Sequence, residues 1–138
     1  MAAVATIDGK REAQKQQIRE RLLAEALLLF SEQRLEHTKV SHIVEKSGIA
    51  RGTFYNYFPD INTLFDALIE QLNDCIHQQI LITRKETHNV YDYLYKTFKS
   101  YFDIIGTPEM VKFHIINQAQ IRQRSYQSTM VKTLVKDL

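Results

Sequence analysis

The stretch SHIVEKSGIARGTFYNYFPDINTLFDAL, residues 41–68, decides the fold. It predicts two short helices, over 39–47 and 50–58, joined by a tight turn at Gly48. Glycine adopts at little cost the left-handed conformation that commonly ends a helix. The second helix must stop before Pro59, because proline disfavours helical geometry in the residue ahead of it. Two short helices joined by a glycine-containing turn form a helix-turn-helix.

Apolar residues at three- and four-residue spacing extend the helical pattern on both sides of this motif. Upstream, a loose arm over 1–9 precedes a long helix over 10–33. Downstream, a helix over about 61–83 is followed by one over about 90–105, and a last helical stretch starts at Pro108. Four side chains are predicted to cap helix N-termini: Thr38, Asp60, Asn89 and Thr107.

These elements predict an all-α fold, in which a three-helix DNA-binding head with the helix-turn-helix precedes a helical ligand-binding and dimerisation region. We assign residues 1–9 to a flexible arm, 10–60 to the helix-turn-helix DNA-binding domain, and 61–138 to a C-terminal regulatory and dimerisation region. The net charge is only +2, with 18 basic and 16 acidic residues. Any charge that attracts nucleic acid must therefore form a local patch.

Several classes of protein are disfavoured by the composition. The single cysteine, Cys75, excludes a disulfide within the chain. The polar N-terminus has no signal-peptide core, and no run approaches the ~20 apolar residues of a membrane span, so we expect a cytoplasmic protein without membrane contact. The histidines 77, 88 and 114 show no metal-ligand spacing with Cys75. Because the sequence also offers no nucleophilic triad or phosphate loop, we expect no metal, no cofactor and no enzymatic activity.

The second helix of a helix-turn-helix reads the major groove, and its residue types suit that role. Arg51 can pair with phosphate or guanine, Gly52 lets the backbone approach DNA closely, and Asn56 can bond a base edge or a phosphate. Phe54 and Phe58, four residues apart, are predicted to anchor this helix to the core. The alternative is a surface hairpin that does not bind DNA, although Tyr55 and Tyr57 would then be exposed without purpose. The candidate DNA-binding residues are Thr38, Lys39, Arg51, Gly52, Thr53, Tyr55, Asn56 and Tyr57.

The stretch over 41–68 resembles the DNA-binding head of TetR-family repressors, and the resemblance covers roughly residues 11–72. The family typically has Gly-Val-Ser-x-Gly-Thr-Phe-Tyr-x-Tyr-Phe where this chain has the run over 48–58. The resemblance implies an all-helical homodimer whose two recognition helices enter successive major grooves of a palindromic operator. It also implies a small-molecule inducer that binds the C-terminal region and releases the DNA.

The resemblance also implies a role for each candidate residue. Thr38 and Lys39 would touch phosphates, Tyr55 and Tyr57 would hold the backbone, and base edges would face Arg51, Gly52, Thr53 and Asn56. The chain departs from the family at Ile61, where a phosphate-contacting lysine is common. The C-terminal part is short beside that of typical members, which indicates a shortened form or a different mode of dimerisation.

An aromatic-rich segment in the C-terminal half is the candidate inducer pocket, because large aromatics with a few polar tips suit a ligand cavity. Packing or an interface between proteins explains the same residues equally well. For four basic residues of the first helix, phosphate contact and a solvated surface remain equal alternatives: Lys10, Arg11, Lys15 and Arg19. The candidate pocket residues are Tyr91, Tyr95, Phe98, Phe102, Phe113 and His114.

Three functions remain open at the level of sequence. The first is a sequence-specific DNA-binding transcriptional regulator, a repressor that a small-molecule ligand releases. The second is a protein-binding regulator on a TetR-like scaffold, a co-activator or a cell-division factor; Ile61 and the low net charge keep it open. The third is a small-molecule binding or transport module whose helix-turn-helix is vestigial.

Overall fold

The computed structural model describes residues 2–127. Within that range the chain is helical and contains no β-strand, which confirms the all-α prediction. A 3-10 turn, Leu35–His37, separates the first two helices. The helices are α1 (Ala2–Glu32), α2 (Val40–Ser47), α3 (Arg51–Tyr57), α4 (Ile61–Glu86), α5 (Val90–Ile105), α6 (Pro108–Ile116) and α7 (Gln118–Ser125).

The first helix is longer than predicted. It begins at Ala2, so residues 2–9 of the predicted arm form its first turns. Alanine has the highest helix propensity of all residues, and three of the first five residues are alanines. Their propensity offsets the cost of Gly9, which lies within the helix. None of the helices within residues 2–127 is both long and apolar enough to cross a membrane.

The core of the head lies between α1, the two short helices and the first half of α4. Phe30 of α1 and Phe65 of α4 meet edge to face, with 4.9 Å between ring centroids. Phe113 of α6 also packs against Phe65, with 5.7 Å between ring centroids. This core runs on past residue 60, where the sequence placed the end of the DNA-binding domain. Its buried members include Leu22, Leu23, Ile43, Phe54, Phe58, Leu64 and Leu68.

Three of the four predicted N-caps are confirmed. The side chain of Asp60 accepts the backbone N–H of Thr63 at 2.7 Å, that of Asn89 accepts the N–H of Asp92 at 2.8 Å, and that of Thr107 accepts the N–H of Met110 at 3.4 Å.

The fourth predicted cap, Thr38, is wrong because α2 begins one residue later, with Lys39 as its N-cap residue. Thr38 is only 5% exposed. Its hydroxyl turns back to the carbonyl oxygen of Arg34, to which it donates at 2.8 Å. The side chain of Thr38 therefore closes the 3-10 turn and does not cap α2.

Helix α5 turns its more polar side towards α4. Thr97 and Ser100 of α5 line a cleft with Ile76 and Ile80 of α4. No residue of α5 reaches full burial. The opposite side of α5, which carries most of its aromatic residues, faces outward. Helix α5 therefore contributes little to the core of the head.

Candidate DNA-binding surface

The turn between α2 and α3 has the geometry that the sequence predicts. Gly48 has φ 67°, the one positive φ among residues 2–127, and its N–H donates to the carbonyl oxygen of Val44 at 3.1 Å. Ser47 is buried, and its hydroxyl accepts the N–H of Ile49 at 3.1 Å. The first bond closes the last turn of α2, and the second ties the residue after the turn to the buried Ser47.

Helix α3 is anchored to the head by two aromatic side chains, as predicted. Phe54 is fully buried and Phe58 nearly so, and their rings lie 6.0 Å apart. The guanidinium group of Arg19 on α1 stands over the ring of Phe58, at 5.7 Å from its centroid. A cation over an aromatic face contributes about 0.5–1 kcal/mol at a partly exposed site. Arg19 therefore takes part in holding α3 against α1.

The outer side of α3 brings together four of the predicted DNA-binding residues. Arg51, Gly52, Tyr55 and Asn56 are all exposed, and Tyr55 keeps 49% of its surface in contact with solvent. A Cβ built on Gly52 meets nothing within 4 Å, so a partner can approach the backbone there closely. This side of α3 offers a guanidinium, a phenol and an amide to an approaching molecule, without a fixed partner for any of them within residues 2–127.

The other two predicted residues on α3 are placed differently. Thr53 and Tyr57 are half-buried, and Tyr57 packs against the core of the head. Only part of each side chain is therefore available to a ligand. Their orientation follows from the short helix, whose inner positions at 54 and 58 turn the neighbouring side chains to its flanks.

Lys39 and Thr38 lie at the corner where the chain enters α2. Lys39 is exposed, and its backbone N–H donates to Nδ1 of His42 at 3.0 Å. The buried hydroxyl of Thr38 accepts from Nε2 of Gln33 at 3.1 Å, in addition to its bond with Arg34. The corner therefore presents the side chain of Lys39, while that of Thr38 is engaged within the head.

At the start of α4 the residue that departs from the family pattern has a structural role. Ile61 is half-buried and packs against the core, so it adds no polar group to the surface at the start of α4. Next to it, the backbone N–H and hydroxyl of Thr63 hold the pKa of the Asp60 carboxyl below its usual value. Asp60 is thus kept ionised as the cap of α4.

The six residues predicted to line a ligand pocket are not brought together. Tyr91, Tyr95, Phe98 and Phe102 lie on the outward side of α5, and Tyr91 is 80% exposed. Phe113 is fully buried in the core of the head, and Nδ1 of His114 lies 2.8 Å from the carbonyl oxygen of Met110. The ring of Phe113 fills the space beside Phe65, which is the packing role that the sequence left open for it.

Sequence reasoning missed one polar residue that the structure brings into the head. Asn117, between α6 and α7, is 3% exposed and bonds to backbone atoms of α1 and of the 3-10 turn. Nothing in the spacing of apolar residues indicated it. The sequence offers one sign of the break between α6 and α7, a single asparagine in the run FHIINQAQ, residues 113–120; the apolar pattern alone predicts no break there.

Among residues 2–127 no group of three or more histidine, cysteine, aspartate and glutamate side chains is placed to hold a metal ion. Cys75 is exposed. The chemistry of the surface is therefore that of the cation, phenol and amide groups on α3 and of Lys39 beside it.

Comparison with known proteins places this head in a family. Residues 22–68 match the family model described as bacterial regulatory proteins, tetR family. The uncharacterized HTH-type transcriptional regulator YvdT of Bacillus subtilis is 43% identical over 53 residues, which are 38% of this chain and 27% of that protein. The nucleoid occlusion factor SlmA of Mannheimia succiniciproducens is 27% identical over 76 residues, 55% of this chain and 35% of that protein. The chain thus spans only about a third of these two relatives or less.

Solved structures share the fold beyond the head. The fatty acid degradation regulator FadR from Bacillus halodurans has a TM-score of 0.73 at 16% identity, covering 87% of this chain and 63% of that one. A tetR-family transcriptional regulator from Streptomyces coelicolor has a TM-score of 0.59 at 23% identity, covering 88% of this chain and 52% of that one. The helix-turn-helix head of this chain, residues 22–68, thus matches the tetR family of bacterial regulatory proteins, and the fold of the chain recurs in these solved structures.

Proposed function

We propose that the chain is a sequence-specific DNA-binding transcriptional regulator. The observation that carries this proposal is the outer side of α3, where Arg51, Gly52, Tyr55 and Asn56 are exposed around a helix anchored by Phe54. A helix of this size fits the major groove, which is about 12 Å wide. Arginine and asparagine are the side chains that read guanine and adenine there with paired hydrogen bonds.

Lys39 is the phosphate contact in this proposal. It is exposed at the start of α2, the helix that crosses the DNA backbone in a helix-turn-helix. The phenol of Tyr55 supplies a second contact with the backbone. Thr53 and Tyr57 contribute through the exposed parts of their side chains, and Thr38 through the position of the corner that it stabilises.

We further propose that the protein is a repressor that binds a palindromic operator as a homodimer and is released by a small-molecule inducer. One chain offers one recognition helix, so a palindrome is read by two copies related by a two-fold axis. The family resemblance supports the inducer, and α4 runs without interruption from the head to its contact with α5. Access to chromosomal DNA requires a cytoplasmic location, and no catalytic activity is part of the proposal.

The proposal is tested by selecting duplexes from a random pool and measuring the affinity of the best one by fluorescence anisotropy. The affinity of the wild type is expected to fall steeply and log-linearly with salt. Arg51→Ala should weaken binding by about fivefold or more, because a paired contact with a base contributes about 1–3 kcal/mol. Tyr55→Phe should weaken it less, since it removes one hydroxyl.

Arg84→Ala is the matched control. Arg84 is an exposed arginine at the far end of α4, roughly 35 Å along the helix axis from its start. The substitution removes the same charge and should leave the affinity within about twofold of wild type. Equal losses for Arg51→Ala and Arg84→Ala would show that only net charge matters. A selection that enriches no sequence would refute the proposal.

A second candidate is a regulator that acts through contacts with another protein. It is favoured by the similarity to the nucleoid occlusion factor SlmA and by Ile61, which packs inward where the family often has a phosphate-contacting lysine. In that case Arg51→Ala leaves DNA affinity unchanged, and the selection from random duplexes enriches nothing.

A further inference from the structure

We propose that Asn117 is a positioning residue. It holds the end of α1 against the 3-10 turn, and these segments form the corner that keeps Lys39 in place for contact with DNA phosphate. The proposal rests on the proposed function and adds to it a dependence of DNA affinity on the α6–α7 junction, far from the recognition helix in sequence.

Asn117 joins three backbone groups with one side-chain amide. Its Nδ2 donates to the carbonyl oxygen of Phe30 at 2.7 Å and to that of Phe113 at 3.2 Å. Its Oδ1 accepts the backbone N–H of Leu35 at 3.0 Å. The side chain is 3% exposed, so water cannot replace these bonds freely. The amide therefore links α1, the 3-10 turn and α6 at a single buried point.

Two of these backbone groups, the carbonyl oxygen of Phe30 and the N–H of Leu35, lie at helix ends and lack partners within their own helices. The last carbonyl groups of an α-helix have no N–H within the helix to bond, and α1 ends at Glu32, two residues after Phe30. Leu35 opens the 3-10 turn, and its N–H bonds to Asn117. Buried backbone groups left unsatisfied destabilise the local conformation, so the corner is expected to shift when Asn117 is replaced.

A chain of hydrogen bonds leads from Leu35 to the exposed lysine. The carbonyl oxygen of Leu35 accepts the N–H of Thr38 at 3.0 Å. The hydroxyl of Thr38 accepts from Nε2 of Gln33, and that same nitrogen lies 3.2 Å from Nδ1 of His42. The ring nitrogen of His42 accepts the N–H of Lys39. A displacement of Leu35 is therefore passed on to the residue that precedes α2.

Two other polar side chains of α7 contact the head: Gln120 at the 3-10 turn, and Arg124, which is half-buried over the ring of Phe65, at α4. Nε2 of Gln120 donates to the carboxylate of Glu36 at 2.8 Å, and Arg124 pairs with Asp66. Backbone bonding and then the bond from Gln120 hold the pKa of Glu36 below its usual value. The Gln120–Glu36 pair at the 3-10 turn is exposed, and exposed polar pairs contribute little to stability. The buried amide of Asn117 is therefore the contact that fixes the corner.

The test compares wild type, Asn117→Ala, Lys39→Ala and the double variant by anisotropy with a random-sequence duplex over a series of salt concentrations. Each single variant should bind about five- to tenfold more weakly, and each should lower the slope of log affinity against log salt by about one, the loss of one phosphate contact. In the double variant the losses should not add, because Asn117→Ala has already removed the contact that Lys39→Ala removes.

Two further variants separate positioning from general destabilisation. Gln118→Ala truncates the amide of the adjacent, exposed residue and should leave affinity and slope unchanged. Asn117→Asp retains the acceptor for Leu35 but, when ionised, has no donor for Phe30. Burial raises the pKa of a carboxyl group. The affinity of Asn117→Asp, measured relative to wild type at the same pH, should therefore recover as pH falls from about 8 to about 5, because the protonated carboxyl group donates again.

Wild-type binding with an unchanged slope in Asn117→Ala would overturn this inference and leave the proposed function standing. Additive losses in the double variant would overturn it as well. If the wild type binds no duplex at all, the proposed function fails and the inference fails with it. Should Asn117→Ala not fold, Asn117→Asp decides: affinity that follows wild type at every pH overturns the proposal.

Discussion

Replacing Gly52 by alanine is expected to stabilise the fold and weaken DNA binding. Gly52 is the second residue of α3 and is exposed, and a Cβ built on it meets nothing within 4 Å. Alanine is favoured over glycine within helices by up to about 1 kcal/mol, and the position near the helix start reduces this value. The free energy of unfolding should rise by about 0.5 kcal/mol, which raises Tm by about 2 °C.

The effect on DNA has the opposite sign. If the backbone of α3 approaches the floor of the major groove at Gly52, the added methyl group occupies space that the DNA requires. An extra methyl group in a closely packed contact costs about 1–3 kcal/mol, which is a five- to hundredfold loss of affinity. A gain in stability together with a loss of binding distinguishes this effect from unfolding.

Gly9→Ala is the matched control, because Gly9 is also an exposed helical glycine whose added Cβ meets nothing within 4 Å. It should stabilise α1 by up to about 1 kcal/mol and leave DNA affinity unchanged. Urea denaturation followed by circular dichroism measures stability, and anisotropy measures binding. If Gly52→Ala binds DNA as wild type does, the backbone of α3 does not approach the groove. If it lowers the free energy of unfolding, the placement of Gly52 within a helix is refuted.

Two other substitutions test the packing and the caps. Phe113→Ala should lower the free energy of unfolding by about 3–5 kcal/mol in urea titrations, whereas Phe102→Ala, on the exposed side of α5, should change it by about 0.5 kcal/mol or less; equal losses would contradict the burial of Phe113. Asp60→Ala should cost about 1 kcal/mol at neutral pH. Because the pKa of Asp60 is lowered by Thr63, this contribution is present above the unfolded-state pKa and is lost as pH falls through the folded-state pKa. Urea titrations at acid pH should show a smaller cost, and a cost independent of pH would refute an ionised cap.

The features that could be predicted from the sequence depend on neighbours along the chain. Gly48, Pro59 and the cap at Asp60 each act through backbone geometry within a few residues, and all three end or begin helices as expected. The inward positions of Phe54 and Phe58 follow from their spacing of four on one short helix. These local rules also locate the exposed side of α3.

The features that could not be predicted depend on contacts between distant segments. Thr38 is a local exception: it has the residue type of an N-cap, but its near neighbours Gln33 and Arg34 engage its hydroxyl and α2 starts one residue later. The sequence groups Phe113 with the aromatic residues of the candidate pocket, whereas in the structure it packs on Phe65, almost fifty positions earlier in the chain. Asn117 acquires its role only from Phe30 and Leu35, and no periodic pattern records such a pairing.

The orientation of α5 has a consequence for how the chain unfolds. None of its residues is buried, and its aromatic side, with Tyr91 and Phe98, faces outward. Segments with few buried apolar contacts open by local fluctuations that require much less free energy than global unfolding. Backbone amides of α5 should therefore exchange with solvent deuterium well before those around Phe30 and Phe65. A single melting temperature then describes the helix-turn-helix head, while α5 loses its structure separately and at lower temperature.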